Sequence, residues 1–139
     1  MSEPDPREVW IEVMGWIKVA ASDGRAVSAC LNSDPPLCDI AAYHCQQAAE
    51  KLLKGFLVLA GRDFRKTHDL GQLADQVTQA FPVVGPMLDA MRDWTDWSVE
   101  YRYPALGDEE PEPEPDVLEA ALEVIGAVKV ARLSYAPAP

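Results

Sequence analysis

Residues 42–54, Ala42-Tyr43-His44-Cys45-Gln46-Gln47-Ala48-Ala49-Glu50-Lys51-Leu52-Leu53-Lys54, read as a helix with two distinct faces. Cys45, Ala48, Ala49, Leu52, Phe56 and Leu59 recur at helical spacing and can face a core. His44, Gln47, Lys51 and Lys54 stand at i, i+3, i+7 and i+10. At about 100° per residue they share an arc of about 80°. Glu50 flanks that arc. One narrow stripe therefore holds an imidazole, an amide and two amines. A solvated face, with lysine stems lying over apolar neighbours, accounts for such a stripe. So does a wall that contacts phosphate or RNA, because lysine neutralises phosphate while His and Gln hydrogen-bond a base or sugar.

The flanking sequence supplies more helices. Asp5-Pro6-Arg7-Glu8 is a helix start, with Asp5 as cap, Pro6 in the first turn and Glu8 completing a capping box. Val9, Trp10, Val13, Trp16, Ile17 and Ala20 then give an inner stripe. This helix extends to about Leu31, weakened at Gly24 and ended by Asn32-Ser33-Asp34-Pro35-Pro36. The second helix spans about 37–60 and stops at Gly61, suited to a left-handed C-terminal position. Thr67 can cap a third, with Asp69 in its first turn and Leu70, Leu73, Ala74 and Val77 inside. Phe81-Pro82 ends it.

Pro86 opens a fourth helix reaching about Glu100, with Met87, Leu88, Met91, Trp94 and Trp97 inward. Residues of about 105–116 form an acidic loop of alternating Pro and Glu, a composition that stays extended and solvated. Asp116 and Glu119 form another capping box. A fifth helix follows to about Leu133, with Leu118, Ala121, Leu122, Ile125, Val128 and Ala131 as its inner stripe. The tail 136–139 is expected to be disordered. No strand pattern is visible. The expected fold is all-α, an up-and-down bundle of four or five helices in one domain covering 1–139.

Composition bounds the function. The net charge of −11 argues against general affinity for nucleic acid, and no DNA partner is expected. The charge is uneven, however. Lys51, Lys54, Arg62, Arg65 and Lys66 lie close together, whereas Asp108 to Glu123 holds eight carboxylates and no Lys or Arg. A local basic site on an acidic body fits this pattern. Cys30, Cys38 and Cys45 form no CxxC pair and suit a reducing compartment. With two histidines in all, a zinc site is poorly supplied, and neither metal nor cofactor is expected. No apolar run is long enough to span a bilayer, and the first residues lack a signal-peptide pattern. A cytoplasmic location without membrane contact is the expectation. Four tryptophans with several Met and Leu residues suggest surplus apolar surface and hence a homodimer.

Three blocks carry a family resemblance. Tyr43 to Lys54 resembles the signature helix of HEPN domains, the nucleotide-binding domains of higher eukaryotes and prokaryotes. Thr67-His68-Asp69-Leu70 is similar to that family's second block, and Arg102-Tyr103-Pro104 to a third. The blocks stand in the family's order. The resemblance implies a helical bundle that binds a nucleotide or RNA. By it, His44, Gln47, Lys51, Lys54, Arg102 and Tyr103 are the ligand-binding candidates, with Glu50, His68 and Asp69 secondary. Tyr103 could equally fill the bundle end, and Arg102 could simply pair with a carboxylate.

Many HEPN proteins are metal-independent ribonucleases whose signature is an Arg followed, after roughly four to six residues, by a His. Here no His follows Arg102. Arg62 and His68 meet the spacing, but in the wrong block. No catalytic residue is therefore assigned. The resemblance implies a noncatalytic partner of a separate minimal nucleotidyltransferase, in a toxin–antitoxin-like pair. Two alternatives stand beside it: a metal-independent RNase toxin using His44, Arg62 or His68, and a plain interaction module whose acidic loop recruits a basic protein.

Overall fold

The computed structural model describes residues 3–64, 67–98 and 112–137. Among them there is no strand, and the fold is an all-α bundle. Helix α1 spans Pro6–Leu31 and α2 spans Cys38–Leu59. Helix α3 spans Leu70–Ala80, α4 is the short Gly85–Leu88, and α5 spans Pro115–Leu133. A 3-10 turn, Pro82–Val84, precedes α4, and a longer 3-10 segment, Asp89–Ser98, follows it. No helix among the described residues is long and apolar enough to cross a membrane.

Helix α2 is the spine. It packs against α1, α3, α5 and the 3-10 segment. Its residues Ala41, Ala42, Cys45, Ala48, Ala49, Leu52, Leu53, Phe56 and Leu57 are fully buried. Alanines on one side let α1 approach closely, while Leu and Phe fill the remaining space. The C-terminal end turns at Gly61, whose φ of 67° is the left-handed conformation that glycine adopts without penalty. The backbone N–H of Arg62 donates to the carbonyl of Leu57 across that turn.

Several local expectations are corrected. The N-cap of α3 is Asp69, not Thr67: Asp69 Oδ1 accepts from Gln72 N at 3.2 Å, and Thr67 Oγ1 accepts from Asp69 N at 3.1 Å. The acidic loop ends earlier than expected, because α5 begins at Pro115 with Glu114 as an N-cap that makes no side-chain bond. Asp5 caps α1 through Arg7 N at 2.9 Å, without the reciprocal bond of a capping box from Glu8.

The region expected as one α-helix from Pro86 is mostly 3-10. Leu88, Met91, Trp94 and Trp97 recur every third residue and are all buried. With three residues per turn they line one face, whereas α-helical winding would carry them round the axis. The Trp94 and Trp97 rings stack 5.4 Å apart with 7° between planes. Met87, expected inside, is exposed. Trp10 and Trp16 are half-buried, and the exposed large apolar side chains include Ile11, Val19, Val83 and Val130.

Candidate functional site

Helix α1 runs Val13, Ile17, Ala20, Asp23, Val27 and Cys30 along its buried face. A carboxylate thus sits in the register of the core. Asp23 is 8% exposed and reaches toward α2. There His44 and Lys51, two turns apart, meet it. Asp23 Oδ1 lies 2.8 Å from His44 Nδ1, and its Oδ2 accepts from Lys51 Nζ at 2.6 Å. One carboxylate oxygen serves each partner.

A second buried carboxylate repeats the arrangement further along α2. Glu50, 5% exposed, accepts from Lys54 Nζ at 3.3 Å and lies 2.5 Å from His68 Nδ1 through the same Oε1. Lys54 is one turn beyond Glu50 on the same helix, and its ammonium also sits 5.4 Å from the centroid of the Phe64 ring. Phe64 is braced edge-on by Trp16. His68, just ahead of α3, is largely exposed apart from this contact.

A carboxylate only accepts, so each imidazole presents Nδ1–H to it. Nε2 of His44 and of His68 then has no hydrogen-bond partner among the described residues. The Tyr43 ring packs edge-on against the His44 ring, with 5.3 Å between centroids. Gln47 Nε2 donates to Gln46 Oε1 at 2.7 Å, which turns its amide along the helix. Gln46 is fully buried, and its own Nε2 has no partner among the described residues.

The expected stripe therefore exists, but its charges are not bare. Two ammonium groups face two carboxylates, so the cluster is close to neutral apart from its imidazoles. What the carboxylates provide is position. Each holds one Lys and one His at a fixed place on the same side of α2. Each Lys keeps two of its three N–H donors for something else.

Among the secondary candidates, Glu50 and His68 belong to this cluster, while Asp69 is occupied as the cap of α3. Arg102 and Tyr103 lie outside the described residues. Arg62 donates to Gln79 at 3.5 Å and His68 turns to Glu50, so the two residues with formal nuclease spacing have separate partners. Asp23 was missed by the sequence reading. The signal that marks it is an acid on an otherwise apolar helical stripe.

The three cysteines are free and buried. Burial pushes all three thiols up, Cys45 to about 12 with Cys30 adding to the effect. Their thiolates are disfavoured, which makes them core residues rather than nucleophiles. Among the described residues, no three His, Cys, Asp or Glu side chains gather as metal ligands.

The family model described as HEPN domain matches residues 13–131. No curated protein and no solved structure matches the chain.

Proposed function

Since this chain belongs to the HEPN domain family, we propose that it binds a nucleotide or RNA on the α2 stripe and does not itself catalyse. One observation carries the reading: Asp23 and Glu50, both buried, each pin one lysine and one histidine to the same wall. Pinned cations lose less freedom on binding than free surface lysines. Lys51 and Lys54 serve the phosphate through their remaining N–H donors. His44 Nε2 and Gln47 serve the base or sugar, and Arg102 with Tyr103 supplies a further contact. Because the carboxylates offset the ammonium charge, affinity rests on directed hydrogen bonds more than on net charge. The partner is a separate minimal nucleotidyltransferase, in a toxin–antitoxin-like pair, and the chain works as a homodimer.

The test is calorimetric titration with a panel of nucleotides and short RNAs. Lys51→Gln with Lys54→Gln should weaken binding at least tenfold, and Asp23→Asn should weaken it less, because the cations remain but lose their anchor. Equal binding by all three proteins would place the ligand elsewhere.

A second reading has its own observation. A buried carboxylate on Nδ1 with Nε2 left without a partner is the arrangement that sets an imidazole for proton transfer. Two such imidazoles beside two lysines would suit metal-independent RNA cleavage. Chelator-resistant cleavage of a mixed RNA pool, abolished in both His44→Ala and Asp23→Asn, would favour this reading over simple binding.

A further inference from the structure

Helices α1 and α5 cross with Gly24 beside Leu122, and between them lies an open groove of about 390 Å³. Its floor is apolar, made by Ala20, Leu52, Leu122 and Ile125. Its walls contain two glycines. A Cβ on Gly126 would meet nothing within 4 Å, and one on Gly24 would touch only Leu122 at 3.8 Å. A third helix can therefore approach both backbones closely, the condition for packing ridges into this groove.

The rim is cationic. Arg25 stands on one side and Lys129 on the other, and no carboxylate lines the groove. This is unexpected in a chain with 23 acidic and 12 basic residues. Neither cation has an ion-pair partner among the described residues, whereas Lys51 and Lys54 on the α2 stripe are each held by a carboxylate. Val130, 65% exposed, lies one turn along α5 from Gly126 and extends the apolar surface.

We propose that this groove is a docking site for an acidic amphipathic helix of another protein. Its apolar side chains, at i, i+3, i+4 and i+7, enter between Gly24 and Gly126. Its flanking Asp or Glu residues pair with Arg25 and Lys129. Charge complementarity selects this occupant: the rim attracts an acidic helix and repels a basic one. The groove shares no residue with the α2 stripe, so the inference is independent of the ligand bound there.

The experiment uses the whole chain and a labelled synthetic helix with Leu at those four positions and Glu on both flanks. Fluorescence anisotropy should detect binding that weakens with salt, and a version with Lys in place of Glu should bind at least tenfold more weakly. Gly126→Leu fills the groove at an open position and should abolish binding while circular dichroism stays unchanged. Arg25→Glu with Lys129→Glu should reverse the preference toward the Lys peptide. The proposal is overturned by no binding, by equal binding of the two peptides, or by a Gly126→Leu protein that binds normally. It is equally overturned if the free chain sediments at twice 15.3 kDa and Gly126→Leu makes it monomeric, since the occupant is then a second copy.

Discussion

Two places in the bundle bury charge, and they do so in opposite ways. Asp23 and Glu50 each have two basic partners, and those partners reach solvent. Arg132, on α5, is fully buried with one bond, from Nη1 to the carbonyl of Leu52 at 3.0 Å. Its Nε and Nη2 have no partner among the described residues, and its guanidinium lies 5.5 Å from the Phe56 ring centroid. Burial lowers its pKa to about 10. That lowering from the guanidinium's ordinary value corresponds to a cost of roughly 3 kcal/mol at neutral pH. The contrast separates two uses of a buried ion. A paired one arranges groups for the surface, while an unpaired one only costs stability unless its place is already made.

The place for Arg132 is made by Gly55, and disturbing it should give the largest effect. A Cβ there would stand 1.6 Å from Nη1 and 3.1 Å from the Cβ of Trp16. The guanidinium would have to shift and give up its bond to Leu52, so Gly55→Ala should lower stability by about 3 kcal/mol in denaturant unfolding. A loss below half of that would mean that the guanidinium moves freely.

Arg132→Met should act in the other direction and raise stability by about 1–3 kcal/mol. The pH dependence sharpens this. A base with a lowered folded pKa binds its proton more weakly when folded, so its penalty is full below about 10 and fades as pH rises from there toward the guanidinium's ordinary value. The advantage of the Met variant should shrink over that window. A constant advantage would assign the effect to packing.

Cys45 gives the opposite slope. Its thiol is raised from 9.0 to about 12, so the folded protein keeps a proton that the unfolded chain releases. Stability contributed by this group is present below 9 and is lost as pH rises from about 9 to 12. Cys45→Ala costs packing at all pH values but should flatten that alkaline loss, as read from unfolding midpoints at pH 8 and pH 10.

The paired side of the comparison should respond least. Asp23→Asn frees Lys51 and His44, which solvent can then take up, so a loss of about 1 kcal/mol is expected. His68→Ala removes a mostly exposed partner of Glu50 and should cost under about 0.5 kcal/mol. If Asp23→Asn proved as damaging as Gly55→Ala, the distinction between arranged and tolerated charge would collapse.

Two of the buried ions, Asp23 and Arg132, were readable in part. Asp23 and Arg132 each occupy a core position in an otherwise apolar register, the second continuing Leu118, Ala121, Ile125 and Val128. By apolar spacing alone the α5 stripe ends at Ala131, and Asp23 reads as a break in the stripe of α1. Even when seen, neither residue names its partner, because that depends on how one helix is set against the next. The inner faces of α2 and α3 and the turn at Gly61 were legible, since each follows from spacing or from one backbone requirement. The 3-10 segment was not, because Leu88, Met91, Trp94 and Trp97 also suit a loose α-helical reading. The stripe of His44, Gln47, Lys51 and Lys54 was legible as a face, but its near-neutrality was not, since half of the compensating charge comes from another helix.

The stacked indoles of Trp94 and Trp97 have an optical consequence. Nearly parallel rings at this separation are close enough for their electronic transitions to couple. Replacing either ring with phenylalanine would remove that coupling and leave the other tryptophan uncoupled, beside Trp10 and Trp16. The bundle thus contains an unlabelled gauge of its own tight winding. Any event that unwinds the segment toward an ordinary helix would swing one ring past the other and register as a change in the near-ultraviolet spectrum.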